Sequence, residues 1–186
     1  PAVQTIGCVT GTHAEHLKSF LREKAPTVTI FENKDYKEGN ILTLLAALDF
    51  LDDDFLLLNT DHIYPKAMLN KILEQRNGIT AVCDFHRRLQ DDDMKIALNP
   101  DRTVQDIDKK LEHYDAGYIG MTFCPRSKLS IYKEALSTTL EKRGRKACVE
   151  AVLRELAKQG EKISIADTTP LEWLEVDTQQ DLELAE

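Results

Sequence analysis

Short apolar runs alternate along the chain with longer stretches in which apolar residues recur every three or four positions. The short runs predict β-strands, and the periodic stretches predict amphipathic α-helices. In the first half of the chain the two alternate strictly, which is typical of a parallel, doubly wound sheet with right-handed crossovers. The predicted strands are 3–10, 28–31, 55–58, 79–85, 94–98, 103–107, 117–123, 162–166 and 171–176. The predicted helices are 14–24, 41–51, 66–73, 127–141, 147–158 and a terminal helix capped by Thr178.

Turn and cap residues refine this pattern at three places. Thr12 and Glu15 have the spacing of a capping box, in which the side chain of each residue accepts a hydrogen bond from the backbone amide of the other. Asn40 is a favoured N-cap residue before the second helix. The turn sequence at 99–102 joins two strand-like runs and predicts a β-hairpin inserted in the sheet.

The strand Phe55–Leu58 is followed by a polar triplet that ends in Asp61. Four consecutive apolar residues predict a strand that is buried on both faces. In open α/β sheets, ligands bind just beyond the carboxyl ends of such strands. The carboxylate of Asp61 is therefore suited to bind a hard cation such as magnesium, although aspartate is equally a common turn or helix-cap residue.

A second acidic pair, Glu175 and Asp177, lies near the end of the chain. Residues two apart on an extended segment project from the same face, so the two carboxylates together could bind a divalent cation. The alternative interpretation is a solvated Glu175 and an Asp177 that helps to cap the terminal helix.

Composition limits the classes of protein that fit. The chain has 186 residues, 42% of them hydrophobic and 30% charged, as expected for one globular domain. A net charge of −8 argues against nucleic acid as a partner but permits a small phosphorylated ligand. No apolar run is long enough for a membrane span, and no secretory signal is evident, so we expect a cytoplasmic protein. The cysteines are far apart in apolar stretches and are expected to be reduced core residues: Cys8, Cys83, Cys124 and Cys148.

Three segments follow one another along the chain: LLLNTDHIYP at 56–65, the run from Ile107 through Lys109 and Leu111 to Asp115-Ala116-Gly117, and WLEVDTQQDLELAE at 173–186. In this order they resemble the nucleotidyltransferase family, whose members activate sugar phosphates and head-group phosphates. The acid followed by histidine is most similar to the inositol-phosphate cytidylyltransferases, and the last segment also to phosphocholine-type cytidylyltransferases. Gly39, Asn40 and Thr43 resemble the segment that these enzymes place beside the nucleotide base.

The resemblance implies a Rossmann-like, three-layer α/β/α fold of the GT-A-like type, mostly parallel with an inserted β-hairpin. It implies a single nucleotidyltransferase domain over residues 1–186. The family opens with a strand and a glycine-rich loop that binds the triphosphate, and neither is found in this sequence. We therefore expect a domain that lacks its first strand and loop, is incomplete at its N-terminus, and is inactive as this fragment.

The resemblance also implies roles for individual residues. Asp61 and Asp177 would hold Mg²⁺, and with Lys109 they form the implied catalytic set. Gly39, Asn40, Thr43 and Asp61 would bind the nucleotide. The residues implied to bind the acceptor are Lys109, Asp115, Gly117 and Glu175. From spacing alone, a solvated Lys109, a turn role for Asp115 and a strand-opening Gly117 remain open.

The implied partners are a nucleoside triphosphate, CTP first, and a small phosphate monoester, which attacks the α-phosphorus and displaces pyrophosphate. The second pKa of a phosphate monoester is about 6, so the attacking group is already an anion and needs no general base. Two alternatives remain: a nucleotide-sugar-dependent glycosyltransferase of GT-A type, and a non-catalytic module that binds nucleotides or sugar phosphates. Formation of a homo-oligomer is left open.

Overall fold

The computed structural model describes residues 3–185, which form ten β-strands and six α-helices; residues 1, 2 and 186 of the predicted domain lie outside this range. The strands are β1 (Gly7–Thr10), β2 (Thr29–Glu32), β3 (Phe55–Leu58), β4 (His62–Ile63), β5 (Thr80–Asp84), β6 (Lys95–Leu98), β7 (Val104–Asp108), β8 (Ala116–Cys124), β9 (Ser164–Asp167) and β10 (Leu174–Glu175). The helices are α1 (Ala14–Lys24), α2 (Ile41–Ala46), α3 (Lys66–Gln75), α4 (Leu129–Arg143), α5 (Ala151–Lys158) and α6 (Gln179–Ala185).

The main sheet has the order β7-β6-β8-β5-β9, and β3 also pairs with β8. All nine residues of β8 are buried, and this strand runs antiparallel to β3, β5 and β6. Only β5 and β9 are parallel neighbours in this sheet, while β1 and β2 form a separate parallel pair. The α/β class is confirmed, but the sheet is mixed rather than mostly parallel, because β8 lies between strands of the opposite direction.

The hairpin prediction is confirmed, since β6 and β7 pair antiparallel across the turn at 99–102. The prediction of a capping box at Thr12 and Glu15 is wrong. Helix α1 begins at Ala14 after His13, and no side chain caps it. Glu15 instead pairs with Lys18 at 2.8 Å, and Lys18 also holds Glu32 at 2.6 Å, so the carboxylate is drawn away from the helix terminus.

Two further elements are shorter than predicted. Helix α2 ends at Ala46 and is followed by a 3-10 turn at Leu48–Phe50, where the periodicity predicted one helix to residue 51. The Asn40 side chain does not cap α2 but accepts a hydrogen bond from the Val149 amide at 2.7 Å. Strand β10 has two residues, where six were predicted.

Hydrophobic clusters cover both faces of the sheet, as a three-layer architecture requires. In β5, Ala81 and Cys83 face the cluster that includes α4 and α5, whereas Val82 faces the cluster that includes α3. Successive side chains of a strand point to opposite faces of the sheet, so a strand between two layers contributes to both clusters in alternation. Side chains of β3 likewise pack on both sides, but β3 is half-buried, and Leu58 is exposed. Within residues 3–185 it pairs with β8 alone, so the prediction of a fully buried strand is corrected.

The four cysteines are free thiols, as predicted, and Cys83 and Cys124 are buried. None of the helices within residues 3–185 combines the length and apolar composition that crossing a lipid bilayer requires.

Candidate functional site

The two acidic segments meet at the carboxyl end of β3, although they come from distant parts of the sequence. Strands β4 and β10 pair antiparallel, with His62 opposite Glu175. The Val176 amide donates to the Asp61 carbonyl at 2.8 Å and extends this ladder by one residue. The backbone therefore holds the turn that carries Asp61 directly against the segment that carries Glu175.

A glycine in the neighbouring strand fixes the start of this turn. Asn59 donates its amide hydrogen to the Gly120 carbonyl at 3.0 Å. Gly120 has a φ of 73°, and a Cβ there would lie 2.9 Å from the Asn59 side-chain nitrogen. A larger residue at position 120 would be strained and would displace Asn59, so the direction in which the chain leaves β3 depends on this glycine.

Asp61, His62 and Glu175 form a compact group whose possible metal-ligand atoms lie within 4.8 Å of one another. His62 Nδ1 is 2.6 Å from Asp61 Oδ1, and His62 Nε2 is 4.0 Å from Glu175 Oε1. Because a carboxylate only accepts hydrogen bonds, Nδ1 carries the hydrogen. The His62 side chain is 5% exposed and that of Asp61 is 48% exposed, so a buried histidine orients a carboxylate that solvent can reach.

Asp177 lies beside this group and is not one of its three members. Burial raises the pKa of Glu175, His62 lowers it, and the negative charges of Asp177 and Asp61 raise it further. Three carboxylates thus concentrate negative charge at the end of β3. The oxygens of Asp61 and Glu175 match the preference of Mg²⁺ for one or two carboxylates, with water or phosphate oxygens as its other ligands. The donor set therefore fits that ion.

Aromatic rings support the group from behind. The Trp173 ring stacks on His62 with centroids 5.0 Å apart and planes 4° apart, and Tyr64 stacks on His62 at 5.7 Å. The Tyr64 hydroxyl donates to the Ile119 carbonyl at 2.6 Å, so this ring is tied to β8. The imidazole is consequently held by packing on its faces and by Asp61 at its edge.

Three of the four residues predicted to bind the nucleotide lie together around the start of α2 and have protein partners, whereas the fourth, Asp61, belongs to the acidic group. The Gly39 amide donates to the Arg145 carbonyl at 2.9 Å, and a Cβ on Gly39 would lie 2.1 Å from the Ala147 carbonyl oxygen. Asn40 binds the Val149 amide as described above, and Thr43 Oγ1 accepts from Asn33 at 3.1 Å. The contacts of Gly39 and Asn40 join the start of α2 to the loop before α5, and that of Thr43 joins α2 to the residue after β2. A role in nucleotide binding stays a prediction.

Three of the four residues predicted to bind the acceptor lie around β6, β7 and the start of β8, whereas the fourth, Glu175, lies in β10 beside Asp61. Lys109 is exposed just after β7, whereas Asp115 Oδ2 accepts a hydrogen bond from the Leu98 amide at 2.8 Å. Gly117 is the second residue of β8, and a Cβ there would lie 2.6 Å from a methyl carbon of Leu89. Gly117 thus permits the close approach of the loop between β5 and β6.

Lys109 borders a cavity of about 560 Å³ between the end of β7 and the segment before α5. The cations that line it come from both sides, namely Lys109, Lys110, Arg143 and Lys146. Asp108 is the acidic residue of the lining. A cavity with this excess of positive charge suits a small anion.

Sequence reasoning missed Glu150, which precedes α5 and is 7% exposed. Burial raises its pKa, while its own backbone amide, Cys148 and the positive charge of Lys109 lower it and the charge of Asp61 raises it. Glu150 therefore lies within electrostatic reach of both Lys109 and Asp61. Nothing in the sequence marked it, because an acid between apolar residues at helical spacing is an ordinary surface position.

Replacing Glu150 with glutamine should make the free energy of unfolding less dependent on pH. A raised carboxyl pKa means that the folded state binds the proton more tightly than the unfolded state does. Its contribution to stability is present below the ordinary glutamate pKa of about 4.3 and is lost as the pH rises through the folded-state pKa. Urea denaturation from pH 4 to 8 should therefore show the wild type losing stability relative to Glu150→Gln, with about the same m-value.

The exposed Glu134 provides the matched control for this substitution. Glu134→Gln should follow the wild-type pH dependence throughout the range. Parallel curves for wild type and Glu150→Gln would show that burial does not perturb this carboxyl group.

Comparison with known proteins identifies relatives that are similar to this chain in sequence. The chain is 27% identical over 180 residues to a "Bifunctional IPC transferase and DIPP synthase" of Rubrobacter xylanophilus, covering 96% of this chain and 40% of that protein. A protein of the same name from Aquifex aeolicus is 27% identical over 169 residues, covering 91% of this chain and 37% of that protein. The chain thus spans about two fifths of the length of these curated relatives. No protein-family model matches it.

Solved structures share the fold. The inositol-1-phosphate CTP transferase from T. maritima superposes with a TM-score of 0.76 at 17% identity, covering 93% of this chain and 70% of that one. The CTP:phosphocholine cytidylyltransferase of Streptococcus pneumoniae gives a TM-score of 0.76 at 17% identity, covering 98% of this chain and 77% of that one. Together, the relatives in sequence and the shared fold confirm the resemblance of this chain to the nucleotidyltransferase family.

Proposed function

We propose that the protein transfers a nucleotidyl group, from CTP in preference to other nucleoside triphosphates, to a phosphate monoester of a polyol, sugar or choline-like head group. The observation that supports this most directly is the β4–β10 ladder, which brings Asp61 and Glu175 together at the carboxyl end of β3. The relatives named IPC transferase and the cytidylyltransferase fold favour CTP and a phosphorylated head group. We further propose that the protein is cytoplasmic.

In the proposed reaction, an oxygen of the phosphate monoester forms a bond to the α-phosphorus of CTP. The bond between the α-phosphorus and the oxygen that bridges to the β-phosphorus breaks, and pyrophosphate leaves with that electron pair. The attacking oxygen is already anionic, so no side chain needs to remove a proton. What the protein must supply is placement in line and compensation of negative charge.

Different residues would meet these two requirements. Asp61 and Glu175, with Asp177 beside them, would hold Mg²⁺, which when bound neutralises charge on phosphate oxygens. His62 keeps the Asp61 carboxylate oriented through the 2.6 Å contact. Lys109, at the edge of the cationic cavity, would bind the anionic acceptor, with Asp115 and Gly117 nearby. Gly39, Asn40 and Thr43 would lie beside the cytosine base.

The direct test is pyrophosphate release by the complete encoded polypeptide with CTP, Mg²⁺ and either inositol 1-phosphate or phosphocholine. We expect release only when CTP and an acceptor are both present, and we expect EDTA to abolish it. ATP, GTP and UTP should each support a slower rate than CTP.

Two results would replace this proposal with another. Hydrolysis of a nucleotide sugar without pyrophosphate release would favour the glycosyltransferase. Binding of CTP without turnover of any acceptor would favour a non-catalytic module.

A further inference from the structure

Arg87 lies beside the acidic group and presents its guanidinium without an ionic partner in the described part of the chain. Its Cζ atom is 4.1 Å from the centroid of the Trp173 ring. Among residues 3–185, no carboxylate forms an ion pair with Arg87, and no side-chain hydrogen bond engages its guanidinium. Arg87 is exposed, so its five N–H donors face solvent at the edge of the site.

One carboxylate organises both partners of this contact. Asp84 accepts a hydrogen bond from Trp173 Nε1 at 3.1 Å. The same Asp84 side chain accepts from the backbone amides of His86 at 2.8 Å and Arg87 at 3.1 Å. The indole and the loop that carries Arg87 are therefore fixed relative to each other, which reduces the entropy that the arginine loses when it binds a ligand.

The same indole is also stacked on His62, which orients Asp61. Arg87 is thus connected to the carboxylate group through two rigid side chains. Because Arg87 forms no ion pair with a carboxylate among residues 3–185, its guanidinium is available to share one ligand with the carboxylate group.

Charge counting shows what that ligand should be. Asp61, Glu175 and Asp177 carry three negative charges when ionised, and a divalent cation compensates two of them. A phosphate dianion that joins this cation needs further positive charge next to it. Arginine binds phosphate oxygens with two parallel N–H donors, which makes it better suited than lysine at such a place.

We propose that Arg87, held against Trp173, is a substrate-binding residue whose guanidinium binds the oxygens of a substrate phosphate at the Asp61–His62–Glu175 group. The inference rests on the proposed function, since the phosphate belongs either to the acceptor or to the nucleoside triphosphate. The shared chemistry is a phosphate oxyanion beside a carboxylate-bound cation, and kinetics can distinguish its two sources.

Arg87→Gln and Arg88→Gln form a matched pair for the kinetic test, because both arginines are exposed neighbours in one loop. We expect Arg87→Gln to raise KM for one substrate about tenfold or more, the effect of losing hydrogen bonds to a charged group. Arg88→Gln should change KM less than about twofold, as expected for a surface substitution. A rise in KM for the acceptor assigns the acceptor phosphate, and a rise for CTP assigns the triphosphate. Arg87→Lys should be intermediate, because lysine lacks the planar fork.

A binding measurement keeps this test separate from turnover. Trp173 is the only tryptophan in the chain, so intrinsic fluorescence reports on the ring beneath Arg87. Titration of the 186-residue chain with inorganic phosphate in the presence of Mg²⁺ should change this fluorescence. The half-maximal phosphate concentration should rise about tenfold in Arg87→Gln and stay unchanged in Arg88→Gln.

The possible outcomes are distinct. Loss of the phosphate response in Arg87→Gln alone, without any pyrophosphate release by the complete encoded polypeptide, would reject the proposed function and retain Arg87 as an anion-binding residue. Equal KM values and equal phosphate responses in the two variants would overturn the assignment of Arg87. A wild-type protein with neither turnover nor a phosphate response would overturn both.

Discussion

Replacing Asp61 with asparagine is expected to lower the rate of pyrophosphate release by about 100-fold or more, because cation-mediated charge stabilisation contributes several kcal/mol. Asparagine keeps the size of the side chain but removes its charge. It also weakens the contact of 2.6 Å with His62, which is charge-assisted as long as Asp61 is ionised. The measurement is the initial rate at saturating CTP and acceptor over a range of Mg²⁺ concentrations. The concentration that gives half-maximal rate should rise in the variant.

Asp52 provides a matched control, since it is an exposed aspartate just before β3. Asp52→Asn should retain the wild-type rate and Mg²⁺ dependence. Full activity in Asp61→Asn would remove this carboxylate from the proposed metal site. Glu175→Gln and Asp177→Asn then identify the second ligand, and the geometry favours Glu175, because its carboxylate belongs to the compact group.

The sequence pattern placed Asp61 just after a strand because that signal is local, and its role as a ligand stays a prediction. Four apolar residues followed by a polar turn define β3, and the structure has the same bounds. The acidic end of a strand in an α/β sheet is where a ligand is expected. No such signal marks β4, because a two-residue strand is too short to show a period. The predicted strand 171–176 contains β10, but its sequence does not indicate that it pairs with β4. The ladder that brings Glu175 to Asp61 is a tertiary feature, and it makes Glu175 a member of the compact group to which the predicted partner Asp177 does not belong.

The direction of β8 was equally outside the reach of sequence patterning. An apolar run such as residues 117–123 predicts burial but has the same appearance in either direction, so the alternation of the first half suggested a parallel sheet. The roles of Gly117 and Gly120 depend on this placement, since each is approached by a side chain from a different loop. The environments of Glu150 and Trp173 likewise depend on neighbours that are distant in sequence, so the sequence pattern could not identify these residues.

Lys95 shows the same limitation most clearly, because a lysine in a short strand is normally assigned to the solvent side. Here it is 7% exposed. Its ammonium group donates to the carbonyls of Gln90 at 2.9 Å, Asp91 at 3.2 Å and Lys109 at 2.9 Å, with Asp93 at 3.4 Å as a longer contact. An ammonium has three N–H donors, so these four carbonyls satisfy it completely. The cation thereby joins the loop between β5 and β6 to the backbone of Lys109.

Lys95→Met is expected to lower the free energy of unfolding by about 3 kcal/mol, since the hydrogen bonds from a buried charged group to the backbone carbonyls are lost. Methionine keeps the length and the apolar stem of the side chain, so the loss reports the ammonium group rather than a cavity. For a chain of this size the melting temperature should fall by about 6–12 °C. Urea denaturation followed by circular dichroism measures the change directly.

Lys110→Met is the control, because Lys110 is exposed and lies next to the residue whose carbonyl Lys95 binds. This variant should change the free energy of unfolding by no more than about 0.5 kcal/mol. If both variants unfold at the wild-type urea concentration, the carbonyl contacts of Lys95 do not stabilise the protein in solution. If Lys95→Met alone is destabilised, the position of Lys109 at the cationic cavity depends on a buried cation 14 residues earlier in the chain. The same variant should then raise KM for the acceptor, because the backbone that carries Lys109 has lost its anchor.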